Sequence, residues 1–333
     1  MRHSHYLHQS DRLKAFFVWR KSVFFLFLIC LKMMYMYGIM LIMKKIDFGN
    51  LKAGDMIELG AYPQGDETDP DLVRALKKIC GEPQLFDGSL WYDYDNANGS
   101  AMYADIEYAG KLYRIVYKHR HRNKKSFYYK INRYRDRRTY VFLYEPIVWR
   151  VLKIEEGRAL LSSQKALDGQ EFCVLKKRKP EERDICPNNY EYSYIRRWLN
   201  SVFYETAFSD AEKSAIETTV VDNSPETTKN KENYFACNDT EDKVFLLSFQ
   251  EAKTLFADNK DRYKKATDYA KAMDCYAYPT RDPKLNNGNW LLRSPQYDNE
   301  NYVRTVGDGG GCSLSHRPAG LLYAVVPAVY IKI

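Results

Sequence analysis

The sequence predicts an α+β protein in which short antiparallel strands pack with two adjoining helices. Three observations carry this prediction. An apolar stripe at helical spacing follows Ser193, alternating segments typical of strands precede it, and short apolar runs between Asn, Gly and Pro clusters come after it. Hydrophobic residues make up 45% of the 333-residue chain and charged residues 28%, as in ordinary globular proteins.

The first 43 residues differ from the rest of the chain. The segment 22–43 is apolar except for Lys32, and about 20 apolar residues are enough to cross a bilayer. A second interpretation places the start of translation at Met43, because methionines crowd there and no small-residue cleavage site follows. We favour the start at Met43, which predicts a cytoplasmic protein. Membrane anchoring through residues 22–43 is the alternative.

Residues 44–140 are predicted to form a β-rich N-terminal part. Asp55–Tyr62 has the composition of a strand, and the polar residues from Pro63 to Pro70 predict a turn after it. Apolar residues at helical spacing between Leu72 and Ile79 then predict a short helix that ends at Gly81.

A hairpin and a basic segment follow. Asp105–Lys118 alternates apolar and polar residues around a turn at Ala109 and Gly110, which predicts a β-hairpin. The segment 111–138 carries twelve Lys and Arg against one acid, with tyrosines between them. Such a segment could stack bases and neutralise phosphates, so nucleic-acid binding is an alternative to a solvated strand pair. The residues that would carry it are Arg120, Arg122, Lys124 and Lys125.

Residues 141–333 are predicted to form the core domain. Tyr140–Leu152 gives the strongest strand signal, and Gly157 turns the chain into a second strand, Ala159–Ser163. Late apolar runs predict short antiparallel strands joined by long loops: Trp290–Leu292, Tyr302–Val306 and Leu321–Val326. The glycines of Asp308–Gly311 predict a turn, because neither a lysine nor a helix follows to make a phosphate site.

Two helices lie at the centre of this domain. The apolar stripe is formed by Ile195, Trp198, Leu199, Val202 and Phe203. Ser209 and Glu212 have the spacing of a capping box and predict a second helix through Ile216. Ser248 and Glu251 repeat that spacing and predict a helix to Phe256, directly after an expected strand, Lys243–Leu247.

Candidate catalytic and metal-binding residues are sparse. The seven cysteines form no CxxC pair and have no nearby histidine at ligand spacing, which argues against zinc. Reduced thiols are favoured over disulfides. Beyond residue 43 the histidines are His119, His121 and His316, and no motif of a serine hydrolase, zinc protease or P-loop protein is present. We therefore expect a non-enzymatic protein without metal or cofactor.

Several motifs together resemble a known family. They are YPQ at Tyr62–Gln64, PIVWRVL at Pro146–Leu152, IRRWLN at Ile195–Asn200, AFSDAE at Ala207–Glu212, KVFLLSFQEA at Lys243–Ala252 and NWLLRSP at Asn289–Pro295. Over most of the chain from about Asp55, their order resembles that of the bacterial domain-of-unknown-function family 6273. Each motif alone is weak, but the set is specific.

This family is similar to the C-type-lectin-like fold shared with formylglycine-generating enzymes. The resemblance implies a loop-rich C-terminal half that presents a ligand surface, here within Tyr297–Arg317, and a protein or glycan as the ligand. The expected binding residues are Tyr297, Asp298, Asn299, Asn301, Tyr302 and Arg304. An enzyme related to the formylglycine-generating enzymes is an alternative, although the surroundings of Cys275 and Cys312 do not match the cysteine pair of those enzymes.

Overall fold

The structure, a computed structural model, describes residues 48–83, 92–94, 99–121, 133–275, 277, 286–312, 314–316 and 321–333. The chain from Asp47 to Ile333 forms one compact unit. The segment 1–43 and its predicted anchor lie outside the described residues. Within the described part of the chain, no helix has the length and apolar character that crossing a bilayer requires.

The described strands are β1 (Met56–Glu67), β2 (Tyr92–Tyr94), β3 (Gly99–Tyr108), β4 (Lys111–His121), β5 (Arg138–Glu155), β6 (Arg158–Ser163), β7 (Asp168–Gln170), β8 (Thr219–Val221), β9 (Thr240–Asp242), β10 (Trp290–Pro295), β11 (Val303–Val306), β12 (Leu314–His316), β13 (Tyr323–Val325) and β14 (Ala328–Lys332). The described helices are α1 (Pro70–Cys80), α2 (Tyr194–Trp198, Leu199–Phe203 and Tyr204–Ala207 in succession), α3 (Asp210–Ala215), α4 (Phe249–Thr254) and α5 (Asp268–Ala272).

The largest sheet joins the two ends of the described chain. Its strands follow the order β14-β6-β5-β4-β3-β2, and β1 also pairs with β5. All of these pairs are antiparallel. The expected domain boundary between residues 140 and 141 falls inside β5. This strand pairs with β1 and β4, which come earlier in the chain, and with β6, which comes later.

Two smaller sheets complete the α+β architecture that the sequence predicts. A five-stranded sheet has the order β12-β11-β10-β13-β7, and β8 pairs with β9 alone. The late strands were expected to be antiparallel, and β10 and β13 are the exception because they run parallel at Trp290 and Ala324. Trp290 and Trp198 are both buried, at 0% and 4% exposure.

The hairpin of β3 and β4 is covered on both faces. Its turn has positive φ at Ala109 and Gly110, as predicted. Helix α1 covers one face and packs Leu76 against a core of alternating strand residues. On the other face Arg114 and Lys118 reach α5 and the turn after it.

Strand β1 is longer than predicted, because the expected polar turn after Tyr62 is extended chain. It continues to Glu67 and pairs with β5 as far as Val141, with a register shift between Pro63 and Gly65. The long partner strand supplies hydrogen bonds that the local composition does not reveal. The predicted strand Lys243–Leu247 is also absent as a ladder: Phe245 makes one isolated bridge to Ala328. The carbonyl oxygen of Leu247 also accepts from the backbone N–H of Arg293. Side chains bind other backbone groups of this segment, as described below for Asn200.

Helix α2 contains a π-helical turn, Leu199–Phe203, between two α-helical segments. One extra residue in that turn rotates the rest of the helix. Val202, expected in the apolar stripe, is consequently 43% exposed, while Tyr204 and Ala207 are 4% and 3% exposed. The capping box of Ser209 and Glu212 forms as predicted and starts α3.

The remaining local predictions concern caps and turns. Ser248 and Glu251 form the expected capping box of α4, which ends at Thr254. The glycine-rich turn has φ of 75° at Gly310, and a Cβ there would lie 1.8 Å from the carbonyl oxygen of Asn259. Only glycine therefore fits this position without movement of the backbone.

Candidate functional site

A surface groove of about 620 Å³ lies between the loop that precedes α2 and the loop between β8 and β9. We call it the tyrosine groove. Its lining residues are Ile185, Asn189, Glu191, Tyr192, Pro225, Asn233, Tyr234, Ala236, Cys237 and Asn238. Long loops that carry polar and aromatic side chains on a rigid scaffold are the usual sites of recognition.

Buried asparagines hold the loops around the groove in place. Asn233, 1% exposed, donates from Nδ2 to the carbonyl oxygen of Pro295 at the end of β10. Asn223 donates to the carbonyl oxygen of Asn238. Asn188, 0% exposed, donates to the carbonyl oxygens of Asn299 and Tyr302, both at 3.2 Å. Asn233 and Asn188 fix their loops to distant parts of the chain, and Asn223 closes the loop between β8 and β9 on itself. The walls of the groove therefore have a defined geometry.

Aromatic rings dominate the exposed rim. Tyr234 is 71% exposed and Tyr192 is 36% exposed. The ring of Tyr234 lies 4.6 Å from that of Phe235 and 6.0 Å from that of Tyr297, measured between centroids. Tyr297 belongs to the loop between β10 and β11, so the expected ligand loop contacts the groove through this ring.

The sequence-predicted binding residues divide into two groups. Asp298, Asn299 and Asn301 are exposed on the turn between β10 and β11, while Tyr297 and Tyr302 are half-buried. Gln296 donates its backbone N–H to the carbonyl oxygen of Tyr302 and closes this turn.

Arg304 lies inside β11 and is 6% exposed, so its side chain is not part of the open loop surface. Burial lowers the pKa of its guanidinium, and the nearby charge of Asp298 opposes that shift. The resemblance placed Arg304 on the ligand surface, although the same residue falls within the predicted strand Tyr302–Val306, and the structure agrees with the strand.

Hydrogen bonding and charge at the groove suit binding. The Glu191 carboxylate accepts a hydrogen bond of 3.1 Å from the Asn238 amide. Burial raises the pKa of the Cys237 thiol. Burial and then the adjacent Glu300 carboxylate raise the pKa of Cys186, whose sulfur lies 3.5 Å from Glu300 Oε2. Thiols kept protonated are poor nucleophiles.

The cysteines of the enzyme alternative lie apart from this groove. Cys275 is packed against Gly169 of β7, and the Cys312 sulfur contacts the carbonyl oxygen of Ala252 in α4. Burial raises the pKa of both thiols. No disulfide links the cysteines of the described residues, and no group of three acidic, histidine or cysteine side chains that could hold a metal occurs in that same part of the chain.

Most residues of the nucleic-acid alternative lie outside the described part of the chain. Arg122, Lys124 and Lys125 lie outside the described residues, and of Arg120 only the backbone, in β4, is described. Elsewhere in the basic segment, Arg114 and Lys118 are buried and pair with Asp105 and Asp274. These two cations contribute to the interior of the protein and present no charge to a nucleic acid.

The groove was not predicted from the sequence, because both of its walls are loops that lack the apolar periodicity of helices and strands. One signal was present. The chain contains three Asn-Tyr dipeptides, Asn189-Tyr190, Asn233-Tyr234 and Asn301-Tyr302, and all three meet at the groove or at the turn beside it.

Comparison with known proteins gives one match. The model of the family described as Domain of unknown function (DUF6273) matches residues 156–333. This range contains the motifs from IRRWLN onward but not YPQ or PIVWRVL. No curated protein and no solved structure matches the chain. The match covers more than half of the chain and includes every element that builds the tyrosine groove, and the protein therefore belongs to the DUF6273 family.

Proposed function

We propose that this protein is a non-enzymatic recognition module that binds a protein or glycan in the tyrosine groove. The observation that carries the proposal is the 71% exposure of Tyr234 within a groove whose loops are pinned by buried asparagines. Tyrosine offers a flat apolar face and a polar tip at low entropic cost, which is why recognition surfaces use it.

The polar groups of the groove support the same function. Asn189 and Asn238 line the groove with amides, which can form hydrogen bonds with sugar hydroxyls or peptide groups. The thiols of Cys186 and Cys237 have raised pKa values, because burial disfavours the thiolate at both. The described groups at the groove thus favour contact with a ligand over attack on it.

The similarity to C-type-lectin-like domains is part of this proposal. Short sheets flanked by α2 and α3 support it, as does the position of the turn between β10 and β11 beside the tyrosine groove. Such domains use late loops as the ligand face, and Tyr297 would then belong to one surface with Tyr234.

Array screening tests the proposal. Purified full-length protein is applied to glycan and peptide arrays, and the best ligand is titrated against Tyr234→Ala and Tyr192→Ala. We expect each substitution to weaken binding about tenfold, since a buried aromatic contact contributes about 1.4 kcal/mol or more. Tyr108→Ala, an exposed tyrosine at the end of β3, is the matched control and should leave affinity unchanged.

Binding that survives both groove substitutions would place the site elsewhere. Tyr302→Ala paired with Arg304→Ala is a poorer test, because Arg304 is buried and its loss perturbs β11.

A further inference from the structure

The charge on the described lining of the tyrosine groove is negative. Of the described residues that line it, Glu191 is the only charged one. The Glu191 carboxylate accepts a hydrogen bond from the Asn238 amide. Because an amide is neutral, this bond leaves the negative charge of Glu191 in place. Arg196 lies nearby but pairs with a different carboxylate: its Nε donates to Asp242 Oδ1 at 2.7 Å. Its Nη1 donates only to the backbone carbonyl oxygen of Glu191. Beyond the lining, Asp298 and Glu300 are exposed on the adjoining turn, and Lys229 and Lys231 are exposed on the loop between β8 and β9.

The tyrosine rings at the groove attract cations, as the Glu191 carboxylate does. The π-faces of tyrosine carry negative electrostatic potential and attract ammonium and guanidinium groups. Tyr192 and Tyr234 are exposed at the groove, and Tyr297 contacts Tyr234. A cation held between tyrosine rings and a carboxylate gains from both, whereas a phosphate or an acidic sugar is repelled.

The remaining lining residues match a peptide backbone. Asn189 Oδ1 accepts from the Tyr192 N–H and Asn238 Nδ2 donates to Glu191, so among the described residues Asn189 Nδ2 and Asn238 Oδ1 remain as a donor and an acceptor for a peptide unit. Pro225 adds an apolar wall, and grooves lined with aromatic side chains are known receptors for extended proline-containing segments. The volume of about 620 Å³ accommodates a few residues of such a segment.

Resting on the function proposed above, we infer that the ligand is an extended peptide segment whose lysine or arginine side chain enters the tyrosine groove and pairs with Glu191. Tyrosine rings hold the aliphatic stem and the cationic group, and asparagine amides bind the peptide backbone. A neutral glycan, which would use the rings without needing the carboxylate, is the competing occupant.

Fluorescence anisotropy with synthetic peptides tests this inference. The probes are labelled peptides of alternating proline and serine with a central arginine, lysine, glutamine or glutamate, titrated with the full-length protein. We expect the arginine and lysine peptides to bind at least about tenfold more tightly than the glutamine peptide, and the glutamate peptide to bind weakest. Glu191→Gln should remove that preference, while Glu107→Gln, an exposed acid on β3, should retain it.

The outcomes separate the two proposals. Equal affinity for the arginine and glutamine peptides, an unchanged preference in Glu191→Gln, or no binding of any peptide overturns the cationic ligand. Neutral oligosaccharides that bind in a manner sensitive to Tyr234→Ala but not to Glu191→Gln would overturn it as well and leave the recognition function standing. Binding that is insensitive to Tyr234→Ala would contradict both.

Discussion

At the scale of single residues, Lys264 is the most unusual group in the described interior. It is 1% exposed and donates from Nζ to the carbonyl oxygen of Ser163 at 2.6 Å. Burial, followed by the positive charge of Arg150, lowers the pKa of Lys264 to about 7 against the opposing attraction of Asp261. A neutral amine suits this position, because it keeps the hydrogen bond without a buried charge.

Lys264 should therefore contribute stability that rises with pH above neutrality. Between the folded pKa of about 7 and the usual value of 10.5, the unfolded chain binds a proton that the folded protein does not. Unfolding is then opposed by up to about 1.4 kcal/mol more for each pH unit. Urea denaturation from pH 7 to about 8, below the range in which free cysteines and tyrosines mostly ionise, compares this slope between the natural protein and its variants. Lys264→Met should flatten it.

Lys265→Met is the matched control, because Lys265 is the exposed neighbour of Lys264. It should keep the slope of the natural protein. Identical slopes in both variants would mean that Lys264 is charged in the folded state.

At the scale of elements, the π-helical turn of α2 matters because it presents Asn200 to the segment after β9. Asn200 Oδ1 accepts from the backbone N–H groups of Lys243 and Val244 at 2.8 and 3.1 Å. Its Nδ2 donates to the carbonyl oxygen of Val244 at 2.8 Å. Asn200 thus supplies the partners of Lys243 and Val244, whereas Phe245 pairs with Ala328 and Leu247 accepts from the backbone N–H of Arg293.

Loss of this side chain should destabilise the protein strongly. Asn200→Ala leaves two backbone donors and one acceptor without their partner, which we expect to lower the free energy of unfolding by about 3 kcal/mol. Urea denaturation followed by tryptophan fluorescence measures the change. Ser201→Ala, on the same turn with an exposed hydroxyl, should cost less than about 0.5 kcal/mol. Equal effects of the two substitutions would contradict the role of Asn200.

At the scale of the whole molecule, an internal ion pair joins the β3–β4 hairpin to the family domain. Lys118 and Asp274 approach to 2.8 Å, with side chains only 6% and 9% exposed. Lys118 also donates to the carbonyl oxygen of Ala272 at the end of α5. Nearby, Arg114 lies 4.2 Å from the ring centroid of Tyr103 and donates to the Tyr269 hydroxyl. These contacts connect a segment outside the matched family range to residues inside it.

We expect residues 47–333 to unfold as one cooperative unit. Lys118→Met removes the cation beside a buried carboxylate and should cost about 3 kcal/mol, whereas adding Asp274→Asn should recover part of that loss. Lys153→Met, which breaks the more exposed pair with Glu155, should cost at most about 1 kcal/mol. Coincident urea transitions by circular dichroism and tryptophan fluorescence are expected. Two separate transitions would show that the hairpin folds independently.

Local signals determined much of the fold from sequence. The capping boxes of α3 and α4, the hairpin turn at Ala109 and Gly110, and the strands around Gly157 all formed where their residues predict. Each of these features depends on hydrogen bonds or steric limits within a few residues, so the local sequence is enough to predict it.

Only the tertiary structure decided the tyrosine groove, the burial of Arg304 and the exposure of Val202. Asn188 meets the turn at Asn299, and Asn233 meets Pro295, across long stretches of chain whose composition does not encode the contact. Local composition specifies which backbone groups need partners, but distant side chains supply many of those partners. The family and the α+β class could therefore be read from the sequence, although the matched range, residues 156–333, is shorter than the resemblance from about Asp55 suggested. The shape and charge of the groove arise from packing.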